Sequence, residues 1–144
     1  MDVNDLRSQH QALGVTARHL IRAVENDSVQ QSVGTLRWQL ARQLMSHLAL
    51  EDRIFYPAMQ RLTEERARST AMRLQAEIGT LAQDFSAYMY RWSDDRVARE
   101  WPLFCAETRE ILAALTARME QEERLLYPLA ERADVDPLPM SKVG

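Results

Sequence analysis

A single cysteine, Cys105, among 144 residues excludes an intrachain disulfide and any zinc site built on several thiolates. Glycine and proline are scarce, at four and five residues, and no Asn-Gly or Asp-Gly pair marks a hairpin. Period-two alternation is also missing, which leaves little place for strands. No apolar stretch approaches the roughly 18 residues that would span a bilayer, and the opening MDVNDLR has no basic-then-apolar signal pattern. Positive charge is not in excess: 18 basic against 21 acidic residues give a net charge of −3, so no nucleic-acid backbone is expected as a partner. The arginines lie interleaved with acids, as on a solvated face. No serine or cysteine stands in an activated arrangement, which points away from a nucleophilic enzyme. The expectation is a soluble, cytoplasmic, single-domain chain without membrane or nucleic-acid partners.

What remains is helical periodicity. Apolar residues make up 46% and charged residues 27%, within the range of globular domains. Breakers divide the chain into four amphipathic stretches, at about residues 4–25, 29–62, 63–92 and 101–132, with Ser28 and Thr63 as capping candidates. Ser93-Asp94-Asp95 reads as irregular, and Trp101-Pro102 opens the last stretch. Long helices with short connections predict an all-α, up-down-up-down antiparallel four-helix bundle over residues 1–133. A Pro-containing tail over residues 134–144 is expected to be extended or mobile.

Each stretch carries an inward stripe at helical spacing, and each stripe contains polar groups. The first has Leu6, His10, Leu13, Ala17, Leu20 and Val24, and the second has Leu36, Leu40, Leu44, His47, Glu51 and Ile54. The third has Met72, Gln75, Ile78, Ala82, Phe85, Met89 and Trp92. The fourth has Phe104, Thr108, Ile111, Leu115, Arg118, Glu122 and Leu126. Unpartnered polar groups in a core cost about 1–3 kcal/mol each, so His10, His47, Glu51, Gln75, Arg118 and Glu122 are expected to meet in one layer. An internal repeat supports this. His47-Leu-Ala-Leu-Glu51 through Tyr56-Pro57 aligns with Arg118-Met-Glu-Gln-Glu122 through Tyr127-Pro128. The one chemical mismatch among the layer residues is His47 against Arg118. His19, on the opposite side of its helix from His10, reads as solvated. Trp38, Trp92 and Trp101 read as core or bundle-end anchors, and Tyr56 and Tyr127 as packing residues able to reach the layer.

His-x-x-x-Glu sets an imidazole and a carboxylate one turn apart on one face, a spacing suited to a metal between facing helices. With His10 in DLRSQHQAL, His47 and Glu51 in SHLALEDRIFYP, and Glu122 in EQEERLLYP, the chain resembles the hemerythrin-like (HHE cation-binding) family over residues 4–132. The resemblance implies iron binding, with roles in oxygen, nitric oxide or redox sensing. Carried over residue by residue, it makes His10, His47, Glu51 and Glu122 metal ligands. Gln75 and Arg118 stand at two further ligand positions where the family pattern has histidine.

Arginine cannot ligate, because a guanidinium has donors only. Two arrangements follow. In one, the four remaining ligands hold at most one ion, open to a small diatomic ligand. In the other there is no metal. Arg118 and a protonated His10 or His47 then balance Glu51 and Glu122, and the bundle serves as a regulatory or protein-interaction module.

Overall fold

Asp2 and Asp5 open the first helix by exchanging backbone-to-carboxylate hydrogen bonds, each 3.1 Å, a reciprocal cap that satisfies two otherwise orphaned amides. In the computed structural model, which describes residues 2–133, this helix is α1 (Val3–Ala23). Its predicted stripe, from Leu6 to Val24, is buried without exception. The tail expected over residues 134–144 lies outside the described residues.

The second helix starts later than its periodicity suggests. Ser28 caps nothing; its amide donates to Asn26 Oδ1 at 2.9 Å, a local Asx turn that diverts the chain. Helix α2 (Gly34–Leu50) therefore begins uncapped after Val33. It runs through a π turn, Glu51–Phe55, into α3 (Tyr56–Gln60). Glu64 rather than Thr63 caps α4 (Glu65–Ile78), accepting from the Ala67 amide at 2.6 Å. The third stretch is not continuous. It breaks at Gly79-Thr80, where a Cβ on residue 79 would collide with the Gln75 carbonyl, and resumes as α5 (Leu81–Arg91). The stretch read as irregular contains a short helix, α6 (Asp94–Arg99), capped by Ser93. The last helix comprises α7 (Trp101–Gln121), a second π turn at Glu122–Leu126, and α8 (Tyr127–Arg132).

Helix α1 packs on α2 and α7, and α5 packs on α2 and α7. The four stretches thus close into an all-α bundle, with no strand among the described residues. No helix of these residues is long and apolar enough to cross a membrane.

Two apolar clusters fill the bundle. One surrounds Phe55, Met59, Leu74 and Leu126 near the N-terminus of α1. The other includes Leu13, Leu44, Phe85, Trp101 and Leu115. His10, one turn from both Leu6 and Leu13, lies at the boundary between them, which places the polar layer between two dry compartments.

Outside the polar layer, three positions depart clearly from the sequence reading. Trp38 is 54% exposed, whereas Trp92 and Trp101 are buried. Met72 is exposed, because the inward face of α4 is Ala67, Ala71 and Leu74. Arg37, outside every predicted stripe, is fully buried. Its Nη2 donates to the Trp92 carbonyl at 2.8 Å, and its guanidinium lies 5.4 Å from the Tyr88 ring centre and 5.2 Å from that of Phe104. Arg37→Ala would leave a cavity and an unpaired buried carbonyl, so it should cost about 2–4 kcal/mol. A lower midpoint in urea unfolding checks this.

Candidate metal centre

Proline explains the local shape of both motif helices. Pro57 and Pro128 have no amide, and their rings crowd the carbonyl four residues earlier. Each helix responds by widening. The Tyr56 amide donates to the Glu51 carbonyl and the Tyr127 amide to the Glu122 carbonyl, five residues back in each case. With ordinary helical spacing a residue five along would lie about 140° away; the π turn brings it back toward the face of its glutamate. The two halves then exchange hydrogen bonds. Tyr56 Oη donates to Glu122 Oε2 at 3.0 Å, and Tyr127 Oη donates to Glu51 Oε2. The tyrosines thus hold the carboxylates of the opposite repeat, a role beyond the packing expected of them.

Four predicted ligands come together. One donor atom from each of His10, His47, Glu51 and Glu122 lies within 4.8 Å of all the others, and all four side chains are buried. His10 Nδ1 is 3.2 Å from Glu123 Oε2, and His47 Nδ1 is 2.6 Å from Gln9 Oε1. Both oxygens are acceptors, so a hydrogen on each Nδ1 is satisfied there and each Nε2 is turned to the layer. Those two Nε2 atoms face each other at 3.0 Å. His47 Nε2 is also 3.2 Å from Glu51 Oε1, and His10 Nε2 is 3.3 Å from Glu122 Oε1. Glu122 Oε1 is buried with no hydrogen-bond donor. With their Nε2 atoms free of hydrogen, the two imidazoles and the Glu122 oxygen form a donor set that fits a cation, and outer partners such as Gln9 and Glu123 typically fix imidazole ligands this way.

Arg118 belongs to the same layer. Its Nε donates to Glu122 Oε2 at 3.0 Å, and its Nη2 to Glu51 Oε1 at 3.2 Å and Asp52 Oδ1 at 2.7 Å. Nη1 donates to the carbonyl of Ile78, the last residue before the break in α4, at 3.3 Å. The guanidinium therefore spans the two buried glutamates. Gln75 does not join it. That side chain is exposed and accepts from Gln60 Nε2 at 2.7 Å, because Leu74 takes the inward position. Gln9, Asp52 and Glu123 were not legible as site residues, although Asp52 and Glu123 each follow a ligand directly.

Burial works against ionising Glu51, but His47 and Arg118 outweigh it and hold its carboxyl down at about 2. Burial and the charge of Glu51 push Glu122 up to about 7 against the pull of His10 and Arg118. Burial opposes protonation of His10, yet Glu122, Glu51 and Glu123 together raise its pKa. One proton is therefore held near neutrality between His10 and Glu122. Burial raises the hydroxyl pKa of both Tyr56 and Tyr127, so both remain donors.

A comparison against protein families gives the chain's relationship. The model of the hemerythrin HHE cation-binding domain matches residues 1–130, and the chain belongs to that family. Comparison with curated proteins and with solved structures finds no match. The His/Glu group can hold a metal ion, as the family description implies.

Proposed function

We propose that the protein is a mononuclear iron-binding member of its family, holding one ferrous ion on His10, His47, Glu51 and Glu122, with the Arg118 guanidinium in place of a second metal. One observation carries this reading: two imidazoles whose Nδ1 sides are taken by Gln9 and Glu123 turn their Nε2 atoms toward each other and toward buried carboxylate oxygens. Charge supports it. Counting Asp52, three carboxylates face a single guanidinium, and one divalent cation closes the deficit. Two histidines with a carboxylate and open positions suit ferrous iron. A bound ferrous ion supplies one-electron chemistry and a position for a small diatomic ligand, which makes oxygen or nitric oxide sensing the favoured role. The buried Arg118 network favours a second reading, a metal-free interaction module in which Arg118 and the shared proton offset the two fully buried glutamates.

Ferrous affinity and apo stability should respond to pH in opposite directions. Metal must displace the proton held by His10 and Glu122. Ferrous affinity should therefore rise as pH increases through about 7 and level off above it, with proton release measurable by calorimetry in buffers of different ionisation enthalpy. The apo protein should show the opposite trend. Glu122, with its folded pKa above the unfolded value, adds stability that is complete below the unfolded pKa and lost as pH rises through about 7. Melting curves between pH 5 and 8 (about one pH unit either side of the ordinary histidine value and beyond) check this. Saturable ferrous binding in the parent chain that His47→Ala abolishes supports the metal reading. Failure of both chains to bind supports the module.

A further inference from the structure

The four ligating side chains are almost sealed from solvent: His10 and His47 are 4% and 3% exposed, and Glu51 and Glu122 are fully buried. An ion must nevertheless enter. A cleft of about 500 Å3 between α1 and α2 is bounded by Gln9, Ala12, Leu13, Gln43, His47 and Leu50, among others. It reaches a ligand residue. Four other clefts, of about 310 to 540 Å3, include none of the four ligands among their lining residues.

At this cleft His47 is held from the ligand layer's outer side by a single amide, Gln9 Oε1. Gln43 Oε1, a buried acceptor with no donor, lines the same cleft. We propose that this cleft is the entrance to the metal layer and that Gln9 is its gate. When Gln9 lets go of Nδ1, the His47 ring rotates into the cleft, where Gln43 Oε1 is available to accept the freed Nδ1 hydrogen, and the way to His10, Glu51 and Glu122 opens. The ring returning to Gln9 restores the ligand set. Gln9 is thus a positioning residue for His47, and the rest of the cleft governs how fast ions exchange. This inference rests on the metal-binding reading.

The test is stopped-flow measurement of ferrous uptake by the full chain under anaerobic conditions, and of ferrous release to an excess chromophoric chelator. Ala12 is exposed at the cleft, and Ala113 is exposed at a different cleft on α7. Ala12→Trp should slow uptake and release alike, by about tenfold or more (over 1.4 kcal/mol of barrier), with an unchanged melting temperature and an unchanged dissociation constant. Ala113→Trp should alter neither rate. Gln9→Ala should speed release and weaken binding by about 10- to 100-fold, as loss of an outer-shell partner does, with one ion per chain still bound. Equal rates in the parent and Ala12→Trp, or equal slowing by both tryptophans, would overturn the gate while leaving the metal site intact. A parent chain that takes up no ferrous ion would overturn both.

Discussion

Arg118→Ala should destabilise the metal-free protein by about 3–5 kcal/mol, the usual consequence of removing one partner from a buried ion pair. Arg118 is 1% exposed, and its guanidinium serves Glu51, Glu122 and Asp52 at once. Among the described residues no neighbouring cation can replace it, since His10 and His47 already contact the carboxylates and each other. Arg118→His separates charge from ligation. It rebuilds the second His-x-x-x-Glu but removes the fixed cation, so it should also be unstable without metal. Added ferrous or zinc ions should then recover stability by binding the native state. Thermal melts of both variants, with and without metal, measure the difference. An Arg118→Ala protein melting like its parent would remove the guanidinium from the account.

Glu51→Gln should give the reverse pattern. Glu51 is fully buried, touches His47 and Arg118, and accepts from Tyr127. An amide keeps the shape: its oxygen can still accept from Arg118, while its NH2 takes the Oε2 place and donates to the Tyr127 hydroxyl, which can turn to His10 Nε2 3.0 Å away. It removes one negative charge from a layer that has too many, leaving Arg118 paired with Glu122 and Asp52. The apo protein should therefore keep a melting temperature near that of the parent. Metal binding should collapse by more than the roughly 100-fold typical of lost outer-shell partners, because a charged ligand itself has gone. Calorimetric titration of both proteins with ferrous ion supplies the comparison.

The sequence was a good guide where the helices are regular. The α1 stripe is continuous and ends at caps, so its periodicity could be followed without error. The repeat placed Glu51 opposite Glu122 because each half carries its own copy of the motif. Periodicity misleads where the helical phase changes. Extending the phase of Phe85 and Trp92 backwards through Gly79 places Gln75 inward, but the helix breaks there, and the residues facing in are Ala67, Ala71 and Leu74. Small alanines attract less notice than Met72, which is exposed. The π turns hid the tyrosine contacts in the same way, since ordinary spacing turns Tyr56 and Tyr127 away from their glutamates. Pro57 and Pro128 were the available signal, and a widened turn before each is the physical response to a missing amide. Arg37 left no trace, because a charged residue on a mixed helix reads as surface until Trp92, Tyr88 and Phe104 are seen to enclose it.

The metal content of the chain tests the central claim most directly. Protein purified without chelators, reconstituted anaerobically with ferrous iron and freed of excess metal, should contain one iron per chain by elemental analysis, falling to none in His47→Ala. A ratio of two would contradict the assignment of Arg118 as the replacement for a second ion. A ratio of zero in the parent would contradict the metal site itself.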